Sequence, residues 1–406
     1  MTYTPVELLT VYLDAGNRRK VGRLALKDRH ILFEYDPAFI ASDIEISPIK
    51  LPLKPGVFTC PDMIFDGLYG VFNDSLPDGW GRLLLDRTVE KQDVNRRQLT
   101  ALDRLAYVGW HGMGALSYEP DHSNFASDDA VLALDKLAEE SAIVLVGEKE
   151  EVFEELLRLN GSSAGARPKI MPQVSSDKTK IMHGSPKLQP DFEHWIIKFP
   201  SSQDVRDVGA IEYAYSLMAH AAGVDMPETH LFRTEKSGYF GAKRFDRLGD
   251  QRIHMHSLSG LIHADHRHPS LDYDTILRVV LVLTKHIVEA EKAYALACFN
   301  VLEHNRDDHA KNFSFLLNAQ NEWVFAPAYD LTFSYGPGGK QSTMVMGEGK
   351  KPGMDQLQKL GKKHGLKNAP TILERAQQAV SRWRHHADKA GVTAKSTDEI
   401  ADKIAT

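Results

Sequence analysis

Toward the N-terminus, apolar positions alternate with polar ones in short runs. Val11-Tyr12-Leu13, Val21 to Leu26 and Ile31 to Tyr35, with a Gly16-Asn17 turn after the first, predict a small antiparallel sheet. The period then lengthens. Phe72 to Trp80 reads as a loop and Trp80 to Lys91 as a helix whose start Asp78 caps. Tyr107-Val108-Gly109 and Gly114 to Tyr118 read as two short strands around a glycine-rich turn, and Pro120 to Asp129 as a linker. Val131 to Glu140 and Lys149 to Leu159 carry helical spacing, the second with Phe153, Leu156 and Leu157 on one face. Further on, the pattern predicts a strand over Trp195 to Pro200, a helix over Ala210 to Ala222 and a strand from Tyr239 into the charged segment ending at Arg247. It also predicts a helix over Ala290 to Glu303, a hairpin from Phe313 to Leu317 and Trp323 to Phe325, and alternating helices and turns from Met354 onward.

A chain of 406 residues exceeds what one hydrophobic core supports, so two or three domains are expected. The 42% hydrophobic and 26% charged fractions are those of an ordinary globular protein. No run of 18 apolar residues occurs and Met1 to Pro5 does not open a signal peptide, so the expectation is a cytoplasmic protein with no membrane role. Cys60 and Cys298 are too few for a disulfide framework and lack a partner cysteine at metal-ligand spacing. A net charge of −6 argues against a broad surface for gripping nucleic acid directly. The cluster His254, His256, His263, His266 and His268 lacks the paired spacing of a structural zinc site and is expected to lie on a polar loop.

The chemistry concentrates between His304 and Phe313. Asp307 and Asn312 stand five residues apart, the spacing at which a kinase catalytic loop places its proton-accepting Asp and a magnesium-holding Asn. Asp330, eighteen residues after Asn312, suits a second metal-binding carboxylate; loop capping is the competing reading for all of these residues. Upstream, Asn160 to Ile170 is a small-residue loop with two glycines that could approach a phosphate, or else a helix C-cap and turn. Lys198 sits near the end of an apolar strand after it, and Glu212 opens the next helix, the order in which kinases place their phosphate-contacting Lys and its Glu partner; a solvent-facing Lys and a Glu that complements the helix N-terminus are the alternative reading. The segment Tyr239 to Arg247 would then be the hinge that receives adenine.

These residues together resemble the HipA family of bacterial serine/threonine kinases, the toxin halves of type II toxin–antitoxin modules. Val21 to Leu24, Asp74 to Asp78 and Val108 to Leu116 are similar to the family's N-terminal subdomain. Ser162 to Ala166, Ile197-Lys198, Arg244 to Arg247, Asn305 to Asn312 and Tyr329-Asp330 are similar to its catalytic domain. The resemblance implies an α+β HipA-like kinase fold with a β-rich N-terminal subdomain (1–120), linker helices and a small mixed lobe carrying the Gly-rich loop (121–247), and a mainly helical C-terminal lobe with the catalytic and metal-binding loops (248–406). It implies ATP and Mg2+ as cofactors. Ser163, Ala164, Gly165, Ala166 and Lys198 would hold the nucleotide phosphates, Arg244 and Phe245 would line the adenine hinge, and Asp246 would reach the ribose. Asp307 would be the base, Lys311 would lie beside the transferring phosphate, and Asn312 and Asp330 would bind magnesium. Autophosphorylation would fall on Ser162, with Ser163 as the alternative. The implied partners are a helix-turn-helix antitoxin, through which alone DNA is contacted, and a protein substrate, an aminoacyl-tRNA synthetase. Two other readings use the same residues: a small-molecule phosphotransferase of kinase-like fold and a catalytically silent antitoxin-binding protein. A metal-dependent hydrolase built on Asp307, Asp308 and His309 is a third.

Overall fold

The structure, a computed structural model, describes residues 4–91, 94–123, 131–147, 156, 159, 165–183, 187–268 and 271–404. The chain divides into two compact units: Met1–Asp204 with Lys243–His256 and Gly260–His263, and Val205–Ala242 with Ser257–Ser259 and Ala264–Thr406. The segments Lys243–His256 and Gly260–His263 thus fold with the N-terminal half of the sequence.

The first unit opens with an antiparallel sheet of β1 (Leu8–Leu13), β2 (Arg19–Lys27), β3 (His30–Tyr35), β4 (Val57–Thr59) and β5 (Leu116–Glu119), in the order β4-β3-β2-β1-β5. Period-two burial builds it: Leu9, Val11 and Leu13 of β1 point inward with Leu24 of β2 and Phe33 and Tyr35 of β3. Gly22 lies opposite both Val11 and Tyr35, and a Cβ there would sit 2.2 Å from the Glu34 carbonyl oxygen. That position accepts no side chain. The helix Gly79–Lys91 forms as its periodicity predicts. Tyr107 and Val108, expected in a strand, instead end the helix Ala101–Val108, which starts from a Thr100/Asp103 capping box and stops at Gly109, φ 50°. The reciprocal cap outweighs the β propensity of Tyr and Val.

The histidines correct a second expectation. His254, His256 and His263 are 1%, 0% and 6% exposed, not on a solvated loop. The first two occupy alternate positions of the strand His254–Ser257, so both face inward. Within the first unit, His254 Nε2 lies 2.9 Å from the Ile46 carbonyl, and His256 bridges Ser47 Oγ (3.0 Å) and Asp74 Oδ2 (2.6 Å). Burial pulls the His254 imidazole down to about 4, so it stays neutral. His263 meets Cys60 and Asp62, a thiol–carboxylate–imidazole group that the sequence distance concealed. Its Nε2 accepts the Gly70 N–H at 3.1 Å, which leaves the proton on Nδ1 for Asp62 Oδ2 at 2.7 Å. Both ring nitrogens are committed, and burial raises the Cys60 thiol, so the group is a structural knot. A second sheet in this unit contains β6 (Lys169–Ile170), β7 (Gln173–Ser175), β8 (Ile181–Met182) and β9 (Phe192–Lys198), with β7 between β8 and β9 and β6 on β9.

In the second unit, β10 (Thr229–Arg233) and β11 (Gly238–Lys243) form a hairpin, Thr229 opposite Ala242 and Arg233 opposite Gly238. The helix Val208–Ala222 starts four residues before Glu212, so Glu212 lies inside the helix and is 2% exposed; it does not open the helix. This helix packs on Ala369–Ser381 and Trp383–Ala390, with Tyr215 edge-on to Trp383 at 5.3 Å between ring centres. The helix Ile287–Leu302 buries Ala290, Ala293 and Ala297, small residues that let helix axes approach, and it too packs on Ala369–Ser381. The hairpin Ser314–Leu317 and Trp323–Phe325 forms in the expected place.

Glu303, directly after the helix Ile287–Leu302, is fully buried, and neither carboxylate oxygen has a hydrogen-bond partner. Burial raises it well above the ordinary carboxyl range. A raised acid is stabilising while protonated, so its contribution is lost as pH climbs above the ordinary value of about 4.3 toward the folded one. Glu303→Met should therefore gain roughly 1–3 kcal/mol at pH 8 and little at pH 5, measured by urea unfolding. An identical gain at both values would remove the ionisation argument.

Candidate active site

The loop after Ile287–Leu302 turns sharply at His304, φ 65°, whose imidazole stacks on Phe333 at 5.4 Å. Asn305 then forms an isolated parallel bridge with Ser334, tying the loop to the segment that follows Asp330. Asp307 is exposed while Asp308, its neighbour, is fully buried. The Asn312 side-chain amide donates to the Asp307 carbonyl at 2.8 Å, joining the two residues that the sequence set five apart. That bond uses Nδ2, so Oδ1 is the atom turned to other ligands. Asp330, half-buried, has φ 58°. Beside it the Tyr329 hydroxyl reaches the Lys311 carbonyl at 2.5 Å and Ser314 Oγ at 2.6 Å. Asn312 and Asp330 therefore lie on segments joined through Tyr329, a residue whose bracing role sequence reading missed. An amide oxygen and a carboxylate are hard donors that suit Mg2+.

The remaining expected residues lie in the first unit, except Glu212, which lies in the second, and Ser162, Ser163 and Ala164, which fall outside the described residues. Lys198 ends β9 directly opposite Lys169 of β6. The end of the Gly-rich loop is gripped from Asp78 to Trp80: the Gly165 N–H donates to the Asp78 carboxylate, and the Trp80 N–H donates to the Gly165 carbonyl at 3.1 Å. Gly79, φ 44°, permits this approach, since a Cβ there would lie 2.7 Å from the Ala166 Cα. Asp78 does stand at the helix start, its carbonyl accepting from Arg82 N–H at 3.3 Å, but its carboxylate also reaches the loop. The Arg167 guanidinium pairs with Asp204 at 2.9 Å.

Arg244 and Asp246 are both buried. The Arg244 guanidinium meets Asp246 at 2.8 and 2.7 Å, and Asp246 Oδ2 also accepts from Arg247 at 2.7 Å and from the Gly114 N–H at 2.8 Å. Burial alone would raise this carboxyl, but the Arg244 and Arg247 guanidiniums hold it well below the usual range. Both of its oxygens accept from these donors here, where the family resemblance implied contact with a ribose. Arg252 completes the arrangement by donating to the carbonyls of Trp110, Gly112, Gly114 and Leu116 at 2.7 to 3.1 Å. The glycine turn between Trp110 and Leu116 thus presents its carbonyls to a buried cation.

Residues 9–119 match the HipA N-terminal domain and residues 161–404 match the HipA-like C-terminal domain. The chain belongs to the HipA family. The HipA of Shewanella oneidensis MR-1, solved with HipB and operator DNA, superposes with a TM-score of 0.69 over 98% of this chain and 94% of its own, at 15% identity. At that identity the likeness speaks for the fold, and the α+β HipA-like kinase fold expected from the sequence is the one found. A Helicobacter pylori proinflammatory kinase, CtkA, gives a TM-score of 0.29 at 18% identity over 41% of this chain and 54% of its own. Among the described residues, no helix is long and apolar enough to cross a membrane.

Proposed function

We propose that this HipA-family chain is an ATP- and Mg2+-dependent serine/threonine protein kinase, the toxin of a toxin–antitoxin module, with itself and an aminoacyl-tRNA synthetase as substrates. The observation that carries the reading is the exposed Asp307 on a turn closed by Asn312, next to a segment that ends at Asp330. Mg2+-ATP supplies the transferred phosphoryl group. Asn312 Oδ1 and the Asp330 carboxylate would hold the metal, and Lys198, with Gly165 and Ala166 at the end of the Gly-rich loop, would hold the phosphates. Asp307 orients a serine hydroxyl and accepts its proton as the oxygen attacks the γ-phosphorus, the bond to the bridging oxygen breaks and ADP leaves, and Lys311 neutralises charge on the transferring group. Arg244 and Phe245 line the adenine site, with Asp246 fixing Arg244 in place. An antitoxin like the HipB seen with the Shewanella HipA would be the partner and would carry the contact with DNA.

Incubation of the purified chain with labelled Mg2+-ATP and a soluble bacterial extract, followed by mass spectrometry, tests this directly. Phosphate on a synthetase serine, and on Ser162 or Ser163 of the chain itself, is expected. Label confined to a metabolite would replace the protein-kinase reading with a small-molecule phosphotransferase. Asp330→Ala is expected to weaken ATP binding at least about tenfold in Mg2+, as loss of a charged metal ligand should, and to change it little in EDTA. Calorimetry showing equal affinity in Mg2+ for both forms would make Asp330 a structural residue.

A further inference from the structure

The loop that carries Asp307 has every backbone carbonyl from Asn305 to Asp308 occupied by a side chain or amide of the second unit. Gln341 Nε2 donates to the Asn305 carbonyl at 2.7 Å, and Ser342 donates to the Arg306 carbonyl through its N–H at 3.1 Å and its hydroxyl at 2.9 Å. The Thr343 hydroxyl donates to the Asp308 carbonyl at 2.5 Å, and Asn312 takes that of Asp307. Three consecutive residues thus satisfy three carbonyls of the facing loop. Beneath them runs a buried side-chain relay: Asn305 Nδ2 to Asn300 Oδ1 at 3.0 Å, Asn300 Nδ2 to the Tyr273 hydroxyl at 2.9 Å, and the Tyr273 hydroxyl to Asp308 Oδ2 at 2.7 Å. The Thr343 N–H closes it on Asp308 Oδ1 at 3.0 Å. Gln341, Ser342, Thr343, Asn300, Asn305, Asp308 and Tyr273 are each at most 4% exposed.

Buried peptide carbonyls need partners, but here those partners are the side chains and amides of one facing run, not a regular ladder. Here the anchors converge on the residues that flank Asp307, while Asp307 itself faces out. We propose that Tyr273, Asp308 and Thr343 are positioning residues that set the height and orientation of the Asp307 carboxylate. This deepens the kinase reading and rests on it. Burial pushes the Asp308 carboxyl up to about 7, against the Gln341, Tyr273 and Thr343 donors that favour its charged form. The chemistry requires this economy of motion, since misplacement of a reacting group by about 1 Å can cost on the order of 100-fold in rate.

The test uses Tyr273→Phe, which removes one oxygen from a fully packed ring, and Thr343→Val, which removes one hydroxyl without changing shape. Each should lower kcat for phosphate transfer by roughly 10- to 100-fold and leave KM for ATP within about threefold. Thr343→Ser, which restores the donor, should recover most of the rate. Hydrogen–deuterium exchange of the peptide spanning residues 303–313 should quicken by about 5- to 10-fold in the two disabled forms and not in Thr343→Ser. Unchanged kcat with unchanged exchange overturns the proposal, as does a Thr343→Ser enzyme as slow as Thr343→Val. Should the wild-type chain transfer no phosphate at all, the kinase reading fails, and the exchange measurement alone still decides whether these residues hold the loop.

Discussion

Asp307→Asn is expected to reduce autophosphorylation and substrate phosphorylation by about 100- to 10,000-fold, the range for removing a general base. Mg2+-ATP should bind within about twofold of the wild-type affinity. The substitution is nearly isosteric, and the Asn312 bond is made to the backbone carbonyl of residue 307, so the turn itself survives. What disappears is the oxygen able to take the serine proton. Cells expressing the variant should grow where those expressing the parent arrest. Growth arrest and phosphate incorporation both retained in the variant would strip this loop of its catalytic role.

Asp246→Ala should have an equally large effect on a different quantity. It deletes the anion that compensates Arg244 and Arg247 and leaves two buried guanidiniums facing each other, and breaking a buried pair in this way costs about 3–5 kcal/mol. Arg247 is already pushed well below its ordinary range by burial and by Arg244, so the loss of its counter-charge falls on a group with no margin. Because the Asp246 carboxyl lies well below the usual range, its stabilisation is complete above the unfolded value of about 3.9 and is lost only as pH falls below it toward the folded value. At neutral pH the chemical-denaturation midpoint should drop sharply, and Asp246→Asn should fall between the two forms. A change below about 1 kcal/mol in Asp246→Ala would show that water reaches the guanidiniums.

Much of this architecture could be read from residue types. The period-two runs placed β1 to β3, the apolar run Trp195 to Phe199 placed Lys198 near a strand end, and the Asp307 to Asn312 spacing singled out two residues that the Asn312 side chain joins by a bond to the Asp307 carbonyl. Local rules failed where a residue answers to something far off in the chain. A local signal was outweighed too: Tyr107 and Val108 look like strand residues, but the Thr100/Asp103 capping box just upstream starts the helix that they end. The histidines look solvated by composition, but His254 and His256 alternate along a strand, a period-two signal that was available and that a metal-spacing search does not register. Asp78 reads as a cap because capping is local; its hold on Gly165, 87 positions away, has no sequence signature. The Gln341-Ser342-Thr343 run looks like any polar loop until the carbonyls it serves are known.

Arg252 and Arg247 have a consequence for how the polypeptide can be divided. The family's two modules meet in sequence between residues 119 and 161, which invites expression of the C-terminal one by itself. Such a fragment would keep both guanidiniums and lose the carbonyls of Trp110, Gly112, Gly114 and Leu116 that receive them, together with the Gly114 N–H that Asp246 accepts. Its segment 244–252 would carry cations without the groups that receive them. The natural boundary for protease nicking, circular permutation or module exchange is therefore not the seam between the two family domains, because segment 244–252 of the second is completed by backbone from the first.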